Sequence, residues 1–342
     1  MNQRIGKVQI QNKFEIVVIG AGAAGISAAR AACEAGCRSI LMIDSREKPG
    51  GVLLQCAHHG FGAGLTGWEY IEKLLEGFPE EISVWTDTTV LSVKEETAAG
   101  DSGRCEYSDS HYKERSLLVS GSKTGLQRVF FDQLILASGC MEIPMGFLPV
   151  SGTRPKGIYT AGQVQEMVNL YGKLPEGPVV ILGSGDLGLI VAKQLADQGI
   201  EIAAMVERKG SCAGMARNRN CIRGYEIPLI CSSTVTEIYG ERELSGVKIK
   251  NSRTGETCRV SCRSLLAAVG LRPDRSLLDG LIKSDSRMKR DELKILPDQS
   301  EEYPAWIHLC GNCNVVHPMV DAVIKEGKQA GIAAWRYIER LL

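Results

Sequence analysis

The 342-residue chain has no net charge, no long apolar run and no secretion signal, and each absence removes a class of function. Forty Lys plus Arg balance forty Asp plus Glu, so no broad field draws in nucleic acid or an anionic membrane surface. The apolar runs are far too short to span a bilayer. The start, MNQRIGKVQIQNKFEIVVIG, is polar up to its final strand-like run and offers neither a signal-peptide core nor a cleavage site. Without such a signal, the twelve cysteines point to reduced thiols rather than a disulfide framework, and a cytoplasmic location is expected. With 44% hydrophobic residues the chain can bury sizeable cores, and its length predicts two domains, because single cores stop growing at about 250 to 300 residues.

What is present is a duplicated glycine fingerprint. GAGAAG at Gly20 to Gly25 and GSGDLG at Gly183 to Gly188 each close an apolar strand and open a helix, and each first Gly is followed 24 residues on by an acid, Asp44 or Glu207. Phe14 to Gly20, Ala23 to Gly36 and Arg38 to Asp44 read as strand, Ala-rich helix and strand, a βαβ unit. Pro178 to Gly183, Leu187 to Gln198 and Ile200 to Glu207 repeat it. In such a unit one glycine makes the tight turn, one lets the backbone approach a pyrophosphate, and one lets helix and strand pack closely. The free N–H groups at the helix start bind the phosphates.

One fingerprint alone is ambiguous, because Gly-rich strand-to-helix turns recur without a ligand. Two, each with strand, helix and acid in order, point to two dinucleotides, an arrangement that serves mainly to pass a hydride between a nicotinamide and a flavin. The candidate binding residues are Gly20, Gly22, Ala23, Ala24, Gly25, Asp44 and Ser45 at the first fingerprint. At the second they are Gly183, Gly185, Asp186, Leu187, Gly188, Glu207 and Arg208. Glu207 can accept two hydrogen bonds from a ribose diol and would repel a 2′-phosphate, which favours NAD(H). Arg208 and Lys209 leave NADP(H) open, or form a solvated basic turn.

From Glu81 to Asp132 the pattern changes to short β-rich pieces, including RCEYSDS at Arg104 to Ser110, which read as an antiparallel meander inserted into the first domain. Pro144, Pro149, Gly152, Pro155 and Gly157 mark a linker. Further strands are expected at Thr234 to Tyr239, Leu244 to Ile249 and Ser264 to Gly270. In the tail, a short strand from Trp306 to Cys310 is expected to complete the first sheet, ahead of a long helix from about Met319 to Leu342.

The order GAGAAG, LASGCMEIP (Leu136 to Pro144), GSGDLG, AVGLRP (Ala268 to Pro273) and HLCGN (His308 to Asn312) resembles the two-dinucleotide flavoproteins of the pyridine nucleotide–disulfide oxidoreductase superfamily. The similarity runs from about Phe14 to the C-terminus. It implies an α/β fold of two Rossmann-like dinucleotide-binding domains with central parallel sheets and β-meander insertions. It implies a thioredoxin-reductase-like two-domain architecture, expected to lack a C-terminal dimerisation domain. The expected domains are 1–152 plus 272–342 for FAD and 153–271 for NAD(P). The resemblance adds Ser138, Gly139 and Gly270 at the domain junctions. It also adds the Gly311-Asn312 pair, where the family's late motif places an acid on the flavin ribityl chain. Asn312 puts an amide there, able to accept from a ribityl hydroxyl through its carbonyl.

GGVLLQCAHHGFG (Gly50 to Gly62), the pair Arg217-Asn218 and CGNCNVVHPMVD (Cys310 to Asp321) are similar to a bacterial subgroup of small FAD- and NAD(P)-dependent oxidoreductases. That subgroup includes the alpha subunit of opine oxidases, one component of hydrogen cyanide synthase, and reductases encoded beside glycerol-3-phosphate dehydrogenase-like flavoproteins. It implies an FAD-dependent NAD(P)H oxidoreductase exchanging electrons with a partner dehydrogenase, flavoprotein or iron–sulfur subunit that acts on a small metabolite.

The family's usual redox disulfides are missing. After Gly50-Gly51 there is one nearby thiol, Cys56, where disulfide reductases carry a pair, and Tyr159 to Leu182, where thioredoxin reductases carry theirs, has no cysteine. The one CxxC, Cys310 to Cys313, coincides with the flavin-binding turn and reads either as two packed thiols or as a functional disulfide or metal ligand pair; no metal centre is expected. Gly51, Gln55, Cys56, His58 and His59 lie in a segment expected to approach the flavin ring, where they bind substrate, exchange protons or tune the flavin, or only cap a turn. His317, ahead of the tail helix, either exchanges a proton near the flavin or packs beside Pro318. The catalytic candidates are therefore Cys56, His58 and His317. A free-standing NADH oxidase or thiol/disulfide reductase, and a non-catalytic FAD-binding structural protein, are the rival readings.

Overall fold

The computed structural model describes residues 13–97, 113–123, 125–279, 281 and 303–340. The polar N-terminal segment and the expected strand at 104–110 lie outside the described residues. In chain order the elements are β1 (Lys13–Ile19), α1 (Ala23–Glu34), β2 (Ile40–Ile43), α2 (Gly67–Leu75), β3 (Ile82–Trp85), β4 (Thr88–Thr97), β5 (Lys113–Gly121), β6 (Gly125–Leu136), β7 (Cys140–Glu142), β8 (Ser151–Gly152) and β9 (Ile158–Thr160). There follow α3 (Ala161–Tyr171), β10 (Val179–Leu182), α4 (Asp186–Asp197), β11 (Ile202–Val206), α5 (Ala216–Gly224), β12 (Leu229–Ile230), β13 (Ser233–Gly240), β14 (Leu244–Asn251), β15 (Thr257–Val260), β16 (Ser264–Ala267), β17 (Leu271–Pro273), β18 (Ile307–Leu309) and α6 (Val320–Glu339).

Two compact units result. Unit 1 takes the described residues up to Leu54, from Gly60 to Cys140 and from Pro273 onward; unit 2 takes Gln55–His59 and Met141–Arg272. Residues 141–152, expected with the first domain, thus belong with unit 2. The reason is packing: Met145 and Val150 are buried in one core with Val235, Ile238 and Leu244.

Unit 1 is built on a sheet of order β3-β2-β1-β6-β5-β4, with β18 also on β6. β1 runs parallel to β2 and to the end of β6, and β2 runs parallel to β3. This corrects the expected meander: its first piece, Ile82–Trp85, is a parallel strand. The antiparallel part is β4, β5 and the start of β6. β6 is long enough to serve both, so the insertion and the parallel sheet share a strand. β18 pairs parallel with β6 through Leu309 and Leu136, completing the sheet as expected.

Side chains of β1 alternate between two cores, as the period of a strand requires. Ile16 and Val18 face α1 and α6, while Val17 and Ile19 face the meander. The alanines of α1 let α6 come unusually close. A Cβ on Gly327 would lie 2.3 Å from the Ala24 carbonyl oxygen, and one on Gly331 2.1 Å from that of Ala28. Backbone therefore meets backbone where larger side chains would hold the helices apart.

Unit 2 repeats the plan. Its five strands, β12-β11-β10-β16-β9, are all parallel. Val179 and Ile181 of β10 pack toward α3 and α4, while Val180 and Leu182 pack toward the β13-β14-β15 meander. α3, which follows the proline- and glycine-rich linker, was not expected from the sequence. It is started by a Thr160 capping box with Gln163, and Glu142 accepts the Gly162 N–H at 2.8 Å.

Candidate cofactor sites

The two fingerprints adopt one geometry, each within its own unit. Gly20 has φ +103° and Gly183 φ +105°. A Cβ on Gly20 would stand 2.3 Å from the Ala137 carbonyl oxygen, and one on Gly183 2.2 Å from that of Ala268. The third glycines, Gly25 and Gly188, leave no room for a side chain against the carbonyls of Gly20 and Gly183, at 1.8 and 2.6 Å. The second glycines, Gly22 and Gly185, are the N-caps of α1 and α4 and contribute no side-chain hydrogen bond to the helix start. Those N–H groups face the fingerprint turn without a capping side chain, the arrangement that accepts a phosphate. Ala23 and Ala24 are buried at the start of α1, Leu187 is half-buried, and Gly270 has an exposed, positive-φ backbone.

The two acids are held alike. Asp44 accepts the Ala21 N–H at 2.6 Å on one oxygen and the Arg46 N–H at 2.8 Å on the other. Glu207 accepts the Ser184 N–H at 2.9 Å and hydroxyl at 2.6 Å on one oxygen, and the Lys209 N–H at 2.8 Å on the other. Burial pushes the Glu207 carboxyl up, but the Ser184 and Lys209 hydrogen bonds outweigh it and leave its pKa below the ordinary value. Ser45 and Arg208 are exposed beside their acids. In unit 1 the 46–51 loop reaches the fingerprint: the Gly50 N–H donates to the Ala21 carbonyl at 2.7 Å, and a Cβ on Gly51 would approach the Gly22 Cα at 3.1 Å.

The tail supplies a second cluster to unit 1. Ser138 donates its hydroxyl to the Asp274 carbonyl at 2.7 Å, and Gly139 accepts the Asp274 N–H at 3.1 Å. Gly311 has φ +70° and donates its N–H to Glu326 at 2.9 Å. Asn312 accepts the His317 N–H at 2.9 Å through its carbonyl oxygen, the atom expected to face a ribityl hydroxyl; that oxygen has a second lone pair. His317 Nε2 lies 2.7 Å from Glu326, whose carboxylate also takes the Asn314 amide. Glu326 escaped sequence reading because nothing in its spacing on α6 announces that it reaches back past the helix start.

Gln55, Cys56, His58 and His59 group with unit 2. Gln55 is 6% exposed; its amide donates to the Gly162 carbonyl at 3.4 Å and its backbone carbonyl accepts from Asn169 at 2.6 Å. Burial pushes the Cys56 thiol up to about 12, which keeps it protonated at neutral pH. Burial, with the charges of Arg217 and His59, lowers the His58 pKa and leaves a neutral imidazole.

The CxxC is not assembled as a redox pair. Cys310 packs into the core under α1 and α6, while Cys313 packs into the opposite core and donates to the Leu136 carbonyl at 3.0 Å. Burial raises both thiols. Cys310 and Cys313 are not joined in a disulfide, and among the described residues no three His, Cys, Asp or Glu side chains gather as a metal site. No helix among them is long and apolar enough to cross a membrane.

Comparison with known proteins agrees with this architecture. The pyridine nucleotide-disulphide oxidoreductase family model matches residues 14–327, and the chain belongs to that family. It is accordingly an FAD-dependent NAD(P)H oxidoreductase. A thioredoxin reductase of Treponema pallidum is 25% identical over 82% of this chain and 86% of its own length. One of the opine oxidase subunits of Agrobacterium tumefaciens is 31% identical over 55% of this chain, a match that takes in only 35% of that protein. The crystal structure of T. acidophilum thioredoxin reductase superimposes with a TM-score of 0.72 at 19% identity, covering 96% of this chain and all of that one.

Proposed function

We propose that unit 1 holds FAD as the resident cofactor, that unit 2 takes NAD(H), and that the chain passes hydride equivalents between them for a partner subunit that oxidises a small metabolite. An opine, an amino acid or glycerol 3-phosphate fits that description. The observation that carries this reading is the duplicated cradle, with its glycine backbone closed onto Ala137 or Ala268 and its acid fixed by the same two backbone donors. Bound FAD and NAD(H) supply the hydride chemistry; the protein supplies orientation and an electrostatic setting.

Within unit 1, Asp44 is the acceptor for an adenosine ribose and the α1 start is the seat for a pyrophosphate. Asn312 is the acceptor for a ribityl hydroxyl, and Glu326 fixes the His317 imidazole as a proton carrier. Within unit 2, Glu207 serves a ribose diol and disfavours a 2′-phosphate. The relation to the Agrobacterium opine oxidase, together with the lack of either usual redox-cysteine pair, supports an electron acceptor outside this chain.

Anaerobic addition of NADH to the FAD-loaded protein is expected to bleach the flavin, and an unbleached flavin defeats the reading. For the partner, co-purification from the native host followed by mass spectrometry is expected to return a second redox subunit. Full metabolite turnover by the lone chain defeats that part.

A further inference from the structure

The two fingerprints agree in their backbone geometry and in how each acid is held, yet they differ in charge where the helix begins. Position for position, Ala23 of α1 corresponds to Asp186 of α4, each directly after the second glycine. The first turn of α1 carries no acid, whereas that of α4 carries Asp186. The carboxylate is drawn toward the turn that follows β11: its Oδ1 accepts the Met215 N–H at 2.8 Å and the Asn218 side-chain amide at 2.6 Å. Both of these partners are uncharged, so the negative charge is held in place and left uncompensated by them. The same turn is tied to the fingerprint through the Ala213 N–H on the Ser184 hydroxyl, at 2.9 Å, and the Gly214 N–H on the Ser184 carbonyl, at 2.8 Å.

A helix start attracts anions, and a dinucleotide pyrophosphate carries two negative charges. A carboxylate fixed in the same turn opposes that attraction. We propose that Asp186 is the affinity-setting residue of the second site, keeping the nicotinamide dinucleotide weakly held and exchangeable while the acid-free first fingerprint retains its own. This rests on the assignment of unit 2 to NAD(H). It explains how one cradle, used twice in a chain, serves a resident group at one copy and a visiting co-substrate at the other. The RN pair, Arg217-Asn218, acquires a role through its second member, which orients the carboxylate.

The test is a calorimetric titration of the FAD-loaded full chain with ADP-ribose, which occupies a dinucleotide site without undergoing redox chemistry. Asp186→Asn keeps the shape and the acceptor for Met215 and Asn218 while removing the charge. It is expected to lower the ADP-ribose Kd about tenfold, equivalent to ~1.4 kcal/mol, with unchanged FAD content. A Kd within twofold of the wild type, or a weaker one, overturns the proposal. If Asp186→Asn melts at a lower temperature than the wild type, Asp186→Ala, which copies the first fingerprint, is judged by the same criterion. A wild type and variants that all fail to bind ADP-ribose strike the NAD(H) assignment instead, a result distinct from a wild type that binds and a variant that binds no better.

Discussion

His317 Nε2 lies 2.7 Å from Glu326 Oε2, and the same carboxylate accepts the Gly311 N–H at 2.9 Å and the side-chain amide of Asn314. One side chain on α6 thereby fixes the backbone turn, the amide and the imidazole that precede the helix. Glu326→Ala strands three donors and is expected to lower stability by about 1–3 kcal/mol. It is also expected to speed FAD loss, read as flavin fluorescence released on dilution. Glu326→Gln keeps an acceptor and should restore much of the retention; equal FAD loss from both variants would mean that charge, not hydrogen bonding, holds the turn.

The glycine cradles make a pair of matched tests. Gly20→Ala and Gly183→Ala each force a Cβ to within 2.3 Å of a carbonyl oxygen, at a φ of +103° or +105° that L side chains rarely adopt. Each is expected to cost about 3 kcal/mol or more in denaturant unfolding. Their functional effects should separate: Gly20→Ala yields colourless protein, whereas Gly183→Ala stays yellow and loses reduction by NADH. Colour lost from both variants, or from neither, would contradict the assignment of the two units.

Glu207 is expected to decide between coenzymes. Its two oxygens are pinned by Ser184 and Lys209, leaving the carboxylate a fixed negative group rather than a mobile one. Glu207→Ala is expected to raise the KM for NADH more than that for NADPH, by roughly tenfold in the ratio, the value of one strong hydrogen bond. Steady-state kinetics with both coenzymes measures this, and a ratio that moves toward NADH would refute it.

Much of this was legible in the sequence because local rules and tertiary structure agree there. A continuous apolar strand, a Gly-rich turn, an Ala-rich helix and a trailing acid specify a βαβ unit wherever they occur. The α1 and α4 boundaries therefore fall within two residues of expectation. Sequence reading failed where partners are distant. Ile82–Trp85 looks like any meander strand, and only its parallel pairing with Ile40–Ile43 assigns it to the main sheet. α3 is anchored by Glu142, 20 residues upstream of Gly162, and only its Thr160–Gln163 capping box is a local signal. Glu326 carries no signature, since its three donors lie on a turn preceding its own helix. The CxxC spacing, conversely, suggested a pair that the fold sends to opposite cores.

Those thiols give a negative expectation with a sharp readout. Burial raises Cys56 to about 12 and holds Cys310 and Cys313 above the ordinary thiol value, so none is a thiolate at neutral pH. Dithionite-reduced protein reoxidised in steps should show no long-wavelength thiolate-to-flavin band. Cys56→Ser and Cys313→Ser should leave the rate of flavin reduction by NADH within about twofold of the wild type, a difference under ~0.5 kcal/mol. A band that vanishes in either variant would revive a thiol-based reductase.

The histidines are expected to set the response to mild acid. Burial lowers the His308 pKa, and its Nε2 lies 2.9 Å from Gln133 Oε1 in the sheet of unit 1. His58 in unit 2 is lowered by burial and by Arg217 and His59. A group whose folded pKa is depressed binds more protons when unfolded, so its contribution to stability is complete above the ordinary imidazole value of about 6.5 and is lost as pH falls toward the folded value. The shifted carboxylates act below that window: the pKa of Glu207 lies under the ordinary 4.5. Thermal unfolding followed between pH 7.5 and 5, as an experimental range of roughly one imidazole titration, should show a melting temperature that declines with acid. His308→Gln, which keeps an amide donor toward Gln133 without a titrating ring, should flatten the decline for unit 1. An unchanged slope would assign the acid sensitivity to His58 or to groups elsewhere.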